Sequence, residues 1–427
     1  MNYDLVGKKI LILGGAFQHI KLVNAARQMG VYTIVADYLN DSPSKKFADK
    51  SYLCDIKNIE QLKEICINEK VQGVISSHLD PCQIPYVTLC SELKLPCLAN
   101  KEQFVCMTNK AAFKKMCIKN GVDIISEYSE DEVKNQKIEF PVFVKPVDSR
   151  GSRGQTVCYT YDSLNKAIIK AKKESSNNNV IIEKYIQNAQ EFQVTYFFVN
   201  GEGYLVRTAD SYTGSEINNL SKVVVCAISP SLNTEKYIKT AHNSVLNMLK
   251  NLGIKNGPVF MQGFIDNGVF RFFDPGLRFP GVNYEDIYEY VFGINLEKLL
   301  IRYALTGIMP EVKLPQNSVF LNGKKVSILF PLLKSGKINN ITGVDILKQE
   351  KGIFSISQRI SISDVIPASY DILQRFGEID ILADDISQII NNIELVYKTL
   401  NVTDVLNKNM IFDKFNTKRL KKYDQNN

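Results

Sequence analysis

Gly263-Phe-Ile-Asp-Asn-Gly-Val-Phe-Arg-Phe-Phe-Asp-Pro-Gly-Leu-Arg278 is the stretch on which the reading of this chain turns. Apolar residues flank an Asn267-Gly268 dipeptide, a strong short-range signal for a β-hairpin. Gln262 and Asp274 lie on opposite sides of that turn, and both offer oxygen to a hard cation. Register decides whether they meet. A two-residue Asn267-Gly268 turn pairs 262 with 273, whereas a three-residue connection or a bulge at Gly268 pairs 262 with 274 on one face. The plainer alternative takes Asp274-Pro275-Gly276 as a turn signal and Arg278 as a surface charge.

Upstream of the hairpin, Phe140-Pro-Val-Phe-Val-Lys-Pro-Val147 is an apolar strand that carries Lys145 inside it. A charge there needs a partner or an exit to water. Arg150-Gly-Ser-Arg-Gly154 follows at once; Gly151 and Gly154 let backbone N–H groups approach phosphate oxygens, while Arg150, Ser152 and Arg153 add donors. A hairpin tip with a solvated edge lysine is the bland reading. Glu183 closes the run Val180-Ile-Ile, and Glu191 opens the next strand. Such a pair could flank an adenine and accept from ribose hydroxyls, with the backbone of Lys184, Tyr185 and Ile186 facing the base; ordinary strand-end glutamates explain each equally well alone. Lys110 falls in the first turn of a helix over 109–120, capped by Thr108 or Asn109. The positive helix end and the lysine together favour an anion.

Further out, residues 8–13 form a strand ending at Gly14-Gly15, followed by Leu22, Val23, Ala26 and Met29 at helical spacing. Strands over 31–36, 73–76 and 95–98 alternate with helices over 61–68 and 85–93, the pattern of a Rossmann-like lobe. The Gly-x-Gly-x-x-Gly fingerprint is absent, so a dinucleotide site is disfavoured. Beyond residue 140 the texture is strands joined by turns, with strands over 155–159, 180–186, 191–199 and 203–207 and helices over 164–172 and 234–252. A Pro-bearing linker over 309–315 leads to a third region that mixes strands with a helix over 386–400. The fold class is therefore α/β and α+β, in three units: a Rossmann-like lobe (1–100), a central domain (101–310) and a small mixed domain (311–427).

Composition agrees with that division. The 427 residues are 45% hydrophobic and 23% charged, which excludes disordered and fibrous classes. A formal charge of +7 is too thin to argue for nucleic acid, and the basic tail of Lys414, Lys418, Arg419, Lys421 and Lys422 reads as a solvated end. No stretch approaches a membrane span and no secretory leader is visible, so the expected place is the cytoplasm. Nine cysteines without a Cys-x-x-Cys pair suit reduced thiols. Three scattered histidines supply little for a zinc site or a histidine triad, so any metal must rest on oxygen ligands.

In order along the chain, these pieces resemble the ATP-grasp superfamily, in the layout of biotin carboxylase and the carbamoyl-phosphate synthetase large chain. Ile10-Leu-Ile-Leu-Gly-Gly-Ala-Phe-Gln18 with Val35-Ala-Asp37 is similar to its preliminary lobe, and Asn109-Lys110-Ala-Ala-Phe-Lys114 to its lysine-bearing helix. Lys145 with Gly151-Ser-Arg-Gly154 resembles the second ATP lysine and the phosphate lid, Ile181-Ile-Glu183-Lys-Tyr-Ile186 the adenine hinge, and Glu191 the ribose carboxylate. Gln262 and Asp274 match the metal ligands, and Arg278 the arginine that follows them. Gly276 departs from the family's usual Glu-x-Asn, removing one amide ligand, and Phe279-Pro-Gly281 departs from the carboxylase pattern, against biotin and bicarbonate.

The resemblance implies ATP with Mg²⁺ (or Mn²⁺) as cofactors and a carboxylate–amine ligase. A small-molecule carboxylate would be activated as an acyl phosphate and attacked by an amine, with Lys145 and Arg278 as catalytic residues and Arg207 and Asp210 toward the acceptor. A homodimer is a further implication. The rival readings are an ATP-dependent kinase and a nucleotide-binding regulator without turnover.

Overall fold

The computed structural model describes residues 5–147, 154–175, 178–187, 189–215 and 223–426. The first elements are β1 (Lys9–Leu13), α1 (His19–Gln28), β2 (Tyr32–Asp37), β3 (Lys50–Leu53), α2 (Ile59–Glu69), β4 (Gly73–Ile75) and α3 (Asp80–Leu93). The strands form a parallel sheet in the order β3-β2-β1-β4. Ile10 to Leu13 are all fully buried, as expected of a parallel strand covered on both faces. Two details differ from the sequence expectation. Helix α3 starts at Asp80 rather than 85, because Pro81 sits in the first turn, where a missing N–H costs nothing. Residues 95–98 are not a strand; Pro96 cannot donate to a ladder, and Leu98 N–H bonds the Tyr86 hydroxyl instead.

Next come α4 (Lys101–Cys106), α5 (Lys110–Lys119), α6 (Glu130–Lys134), β5 (Val142–Pro146), β6 (Thr156–Cys158), α7 (Tyr161–Glu174) and β7 (Val180–Lys184). A small antiparallel sheet, β6-β5-β7, packs Val142, Val144 and Ile182 on Leu164, Ala167 and Ala171 of α7. Because strand side chains alternate, Phe143 and Lys145 point away from that core.

Then follow β8 (Gln190–Val199), β9 (Glu202–Thr213), β10 (Val224–Ser229), α8 (Thr234–Thr240), α9 (His242–Asn251), β11 (Gly257–Asp266), β12 (Val269–Gly276), α10 (Glu285–Phe292), α11 (Leu296–Thr306) and β13 (Lys325–Leu329). The helix expected over 234–252 is thus broken at Ala241. Strand β9 runs through 213, so Arg207 lies mid-strand rather than at an end.

The remaining elements are β14 (Leu332–Leu333), β15 (Gly336–Thr342), α12 (Val344–Leu347), β16 (Ile353–Gln358), β17 (Val365–Ile366), β18 (Gly377–Ala383), α13 (Ile386–Thr399), β19 (Asn401–Asp404) and β20 (Ile411–Phe412), with a 3-10 segment over Thr417–Asn426. A large sheet has the order β12-β11-β8-β9-β10-β13-β18-β16 and so runs across residue 310. The fold is mixed α/β and α+β. No described helix is long and apolar enough to cross a membrane, and all nine cysteines are free thiols.

Candidate nucleotide and metal site

The register of the β11–β12 hairpin settles the question left open by its sequence. Asn267 and Gly268 both have positive φ (50° and 83°), the requirement of a two-residue type I′ turn, and Asp266 pairs Val269. The ladder stays regular to Gly263–Phe272 and then shifts, so that Gln262 stands opposite Asp274. The extra residue is Phe273 rather than Gly268, and its ring stacks on Phe264 with centroids 5.0 Å apart. Gly263 permits this close ladder, since a Cβ there would fall 2.6 Å from the Arg271 carbonyl oxygen. On the other side Gln262 pairs Gln193 of β8, giving a rung Gln193–Gln262–Asp274 across three strands. Gln193 has no motif of its own in the sequence; only the register exposes it.

Gln262 and Asp274, with Glu191 of β8, line one wall of a cleft of about 1730 Å³; Phe143, Lys145, Glu183 and Lys184 of the small sheet line the other, with Tyr185, Ile186 and Lys110. Lys110 opens α5, whose cap is Asn109, its side chain accepting from the Ala112 N–H at 3.0 Å. Its Nζ lies 4.0 Å from Asp274 Oδ1, bridging the two walls. Lys145 Nζ donates to Glu183 Oε2 at 2.7 Å, and Lys114 donates to the other Glu183 oxygen and to Glu127. All three members of that triad are at least 94% buried at the side chain.

Burial lowers the Lys145 pKa, Glu183 opposes this, and Lys114 and Lys110 push the same way as burial. Burial alone would raise Glu183, but Lys145 and Lys114 outweigh it and hold the carboxyl below its usual range. Glu127 balances Lys114 and Glu183 balances Lys145, so the cation that pushes on Lys145 from the cleft is Lys110, and an anion between these two lysines relieves that repulsion.

On the opposite wall, burial raises Asp274, with Asp80 adding to the effect and Lys110 opposing it. Burial likewise pushes Glu191 up to about 7, against a Gln193 hydrogen bond. Gln262 Nε2 donates to Glu191 Oε1 at 3.2 Å. The residues fit a hard divalent cation: amide and carboxylate oxygens share one face, and Asp274, its side chain 34% exposed, has its nearest cation among the described residues 4.0 Å away.

Several expectations need correction. Glu183 does not accept from a ribose, because both its oxygens are taken by lysines. The Lys184 and Tyr185 amides are already bonded to the Ser126 and Pro141 carbonyls, so of the three N–H groups it is that of Ile186 that could donate to a base edge. Asp210 does not face an acceptor; it is buried and bonded to Ser231 Oγ at 2.7 Å, Leu232 N–H at 2.9 Å and the Tyr423 hydroxyl. Arg207 is fully buried, with Nη1 on Gln193 Oε1 at 2.9 Å and its guanidinium over Tyr284, so it orients the rung from below. Arg150, Gly151, Ser152 and Arg153 lie outside the described residues; Gly154 is described, buried, with φ of 71°.

The basic tail is also not a plain solvated end. Arg419 and Lys422 line the cleft: Lys422 donates to Gln190 Oε1 at 2.9 Å, Arg419 to the Thr213 carbonyl at 3.0 Å, and both lie over the Tyr212 ring. Arg278 is fixed by Asp80, a residue the sequence reading passed over.

Two facing sheets, Lys145 on the small one, Lys110 at the head of α5 and oxygens from a late hairpin of the large sheet define the class of fold: the chain has the ATP-grasp fold. Comparison with known proteins agrees. Residues 101–272 match the carbamoyl-phosphate synthase L chain ATP-binding domain, and residues 10–94 the PylC-like N-terminal domain. A formate-dependent phosphoribosylglycinamide formyltransferase of Bacillus velezensis is 25% identical over 215 residues, which is 46% of this chain and 53% of that one. The matched stretch therefore spans about half the length of that relative.

Among solved structures, phosphoribosylglycinamide synthetase from Anaerococcus prevotii superimposes with a TM-score of 0.74 at 18% identity, covering 93% of this chain and 100% of the other. L-amino acid ligase from Bacillus licheniformis gives 0.73 at 15%, covering 93% and 99%. At these identities the structural likenesses establish the fold.

Proposed function

We propose that this chain is a carboxylate–amine ligase that consumes ATP, releasing ADP and phosphate through an acyl-phosphate intermediate. The observation that carries the reading is the facing of Lys110 and Lys145 toward the Gln262–Asp274 pair across one cleft. Phosphoryl transfer asks for positioned charge more than covalent chemistry. Lys145, already offset by Glu183, would hold phosphate oxygens; Lys110 would reach the same group from the helix end. Gln262 and Asp274, with Glu191 beside them, would hold magnesium or manganese, which when bound withdraws charge from phosphate oxygens. Ile186 and the Phe143 and Tyr185 rings would receive the base. The buried wall would keep water from the acyl phosphate.

Units 1–100, 101–310 and 311–427 would act as preliminary lobe, grasp domain and closing domain of a cytoplasmic enzyme on small-molecule carboxylates and amines. A formyltransferase, a synthetase and an amino acid ligase among the similar proteins support an amide-forming rather than a kinase reading. A screen of ADP release with Mg-ATP over a grid of carboxylates and amines tests it: release that requires one member of each class supports ligation, and release with a hydroxyl acceptor alone makes the protein a kinase.

A further inference from the structure

In the 3-10 segment over Thr417–Asn426, residues three apart share a side. Leu420 and Tyr423 face inward, 0% and 5% exposed, and join the core that β18 and α13 build. Arg419 and Lys422 fall on the neighbouring side and line the cleft. Tyr423 sets how deep the segment sits: its hydroxyl donates to Asp210, whose carboxylate also accepts from Ser231 Oγ at 2.7 Å and from the Leu232 N–H at 2.9 Å. Asp210, a buried acid of β9 behind the cleft lining, is thereby the anchor of the tail.

Arg419 and Lys422 share the Tyr212 ring, their charges 4.8 Å and 5.4 Å from its centroid. Arg419 Nη1 donates to the Thr213 carbonyl and Lys422 Nζ to Gln190 Oε1; among the described residues these are the only side-chain hydrogen bonds of the two, so each keeps donors for a ligand. Gln190 is itself held, with Nε2 on the Ser211 carbonyl at 2.8 Å, so its oxygen stays turned to Lys422. Burial lowers the Lys422 pKa, and Asp210 opposes it while Arg419 adds to it. An anion beside the pair relieves both the crowding and the desolvation.

The place of the pair in the cleft says which anion. Gln190 stands between the base-receiving Ile186 and Glu191, whose Oε1 accepts from Gln262 at 3.2 Å beside the metal-binding rung. A nucleotide with its base at Ile186 and its outer phosphates at Lys110, Lys145 and Asp274 must lay its sugar and innermost phosphate along this stretch. Ala189 and Gly214 line it without a polar side chain, so the tail supplies the donors that this part of the wall lacks.

We propose that Arg419 and Lys422 are nucleotide-binding residues that hold the innermost phosphate, so that the segment over 417–426 forms part of the ATP site. This rests on the ATP-binding reading and goes beyond it, because it adds to the two facing sheets a third contributor, anchored through Tyr423 and Asp210.

The test is calorimetric titration of the full chain at low salt, with magnesium, against adenosine, AMP, ADP and a non-hydrolysable ATP analogue. The native chain is compared with a double variant, Arg419→Gln with Lys422→Gln, which keeps Leu420 and Tyr423 and with them the docking of the segment. AMP, ADP and the ATP analogue should each lose about tenfold in affinity and adenosine nothing, the size expected for charge-assisted hydrogen bonding to one phosphate. A loss confined to the ATP analogue would place the pair at the outer phosphates, and an equal loss for adenosine would make its role packing. Either result overturns the proposal, as do unchanged affinities throughout. Failure of the native chain to bind any of the four would remove the ATP site, and this proposal with it. Nucleotide binding without ligation would end the ligase reading and leave the role of the pair standing.

Discussion

Lys145 donates to Glu183 at 2.7 Å across neighbouring strands of the small sheet, and the same carboxylate accepts from Lys114. Register explains the first contact: Phe143 pairs Glu183 and Lys145 pairs Ile181, so Lys145 and Glu183 are diagonal neighbours on the face turned from α7. One buried carboxylate thus accepts from two ammonium groups, and Glu127 supplies the second negative charge through Lys114.

The two partners should respond unequally to truncation. Glu183→Gln leaves Lys145 without its carboxylate and Lys114 with Glu127 alone, and should destabilise the fold by roughly 3–5 kcal/mol, read by urea denaturation. Lys145→Ala leaves Glu183 paired with Lys114, so the fold should hold while ADP release falls by about 100-fold or more. A Lys145→Ala chain with normal turnover would remove this lysine from the site.

Asp274 is a half-buried carboxylate whose pKa desolvation and Asp80 raise despite Lys110 at 4.0 Å, so function and stability should oppose each other there. Asp274→Asn removes a charge that the metal-free fold accommodates poorly. Its melting temperature without metal should be at or above that of the native chain, while metal-dependent ADP release is lost. Melting scans with and without Mg²⁺ check both halves.

Stability should peak in mildly acidic solution because His78 and Glu285, 3.7 Å apart, are both buried and shifted in opposite senses. Burial lowers His78 from 6.5 to about 3, so the unfolded chain binds the extra proton in that window and stability is lost as pH falls through it. Burial raises Glu285 from 4.5 to about 8, so the folded chain keeps a proton that the unfolded chain releases, and stability is lost as pH rises through that window. Denaturation curves should show Glu285→Gln gaining on the native chain by roughly 1.4 kcal/mol per pH unit at most between these values, with no further gain above pH 8. A difference independent of pH would contradict this assignment.

The tail should matter to ligand binding. Arg419→Ala with Lys422→Ala removes two cations from the cleft wall beside Tyr212 and Gln190. Affinity for a polyanionic ligand should drop at low salt, and the deficit should shrink as ionic strength rises past the point where the screening length is about 8 Å. The same deficit at every salt concentration would point to lost packing.

Much of this site was legible because local rules carried it. The Asn267-Gly268 turn, the cap at Asn109 and the alternation around Lys145 are set by neighbours in sequence, and the structure has all three. What was not legible depends on contacts between distant segments. Nothing near Phe273 announces that the ladder will slip there rather than at Gly268, since the bulge is stabilised by a ring on the opposite strand. Asp80 and Arg419 enter the cleft, and Gln193 comes beside Gln262, only through the docking of the first lobe, the return of the tail and the pairing of β8 with β11. Glu183 was seen but misread, because the ammonium of Lys114, 69 positions away, could not be placed beside it.

The account stands most directly on nucleotide being gripped between the two sheets, and calorimetric titration with Mg-ATP of the native chain and of a Lys110→Ala, Lys145→Ala double variant measures that. The native chain should bind with a stoichiometry of one and the variant should lose at least about 100-fold in affinity, the loss expected on removing two charge-assisted contacts. Equal affinity in the two proteins would place the nucleotide elsewhere and contradict the account.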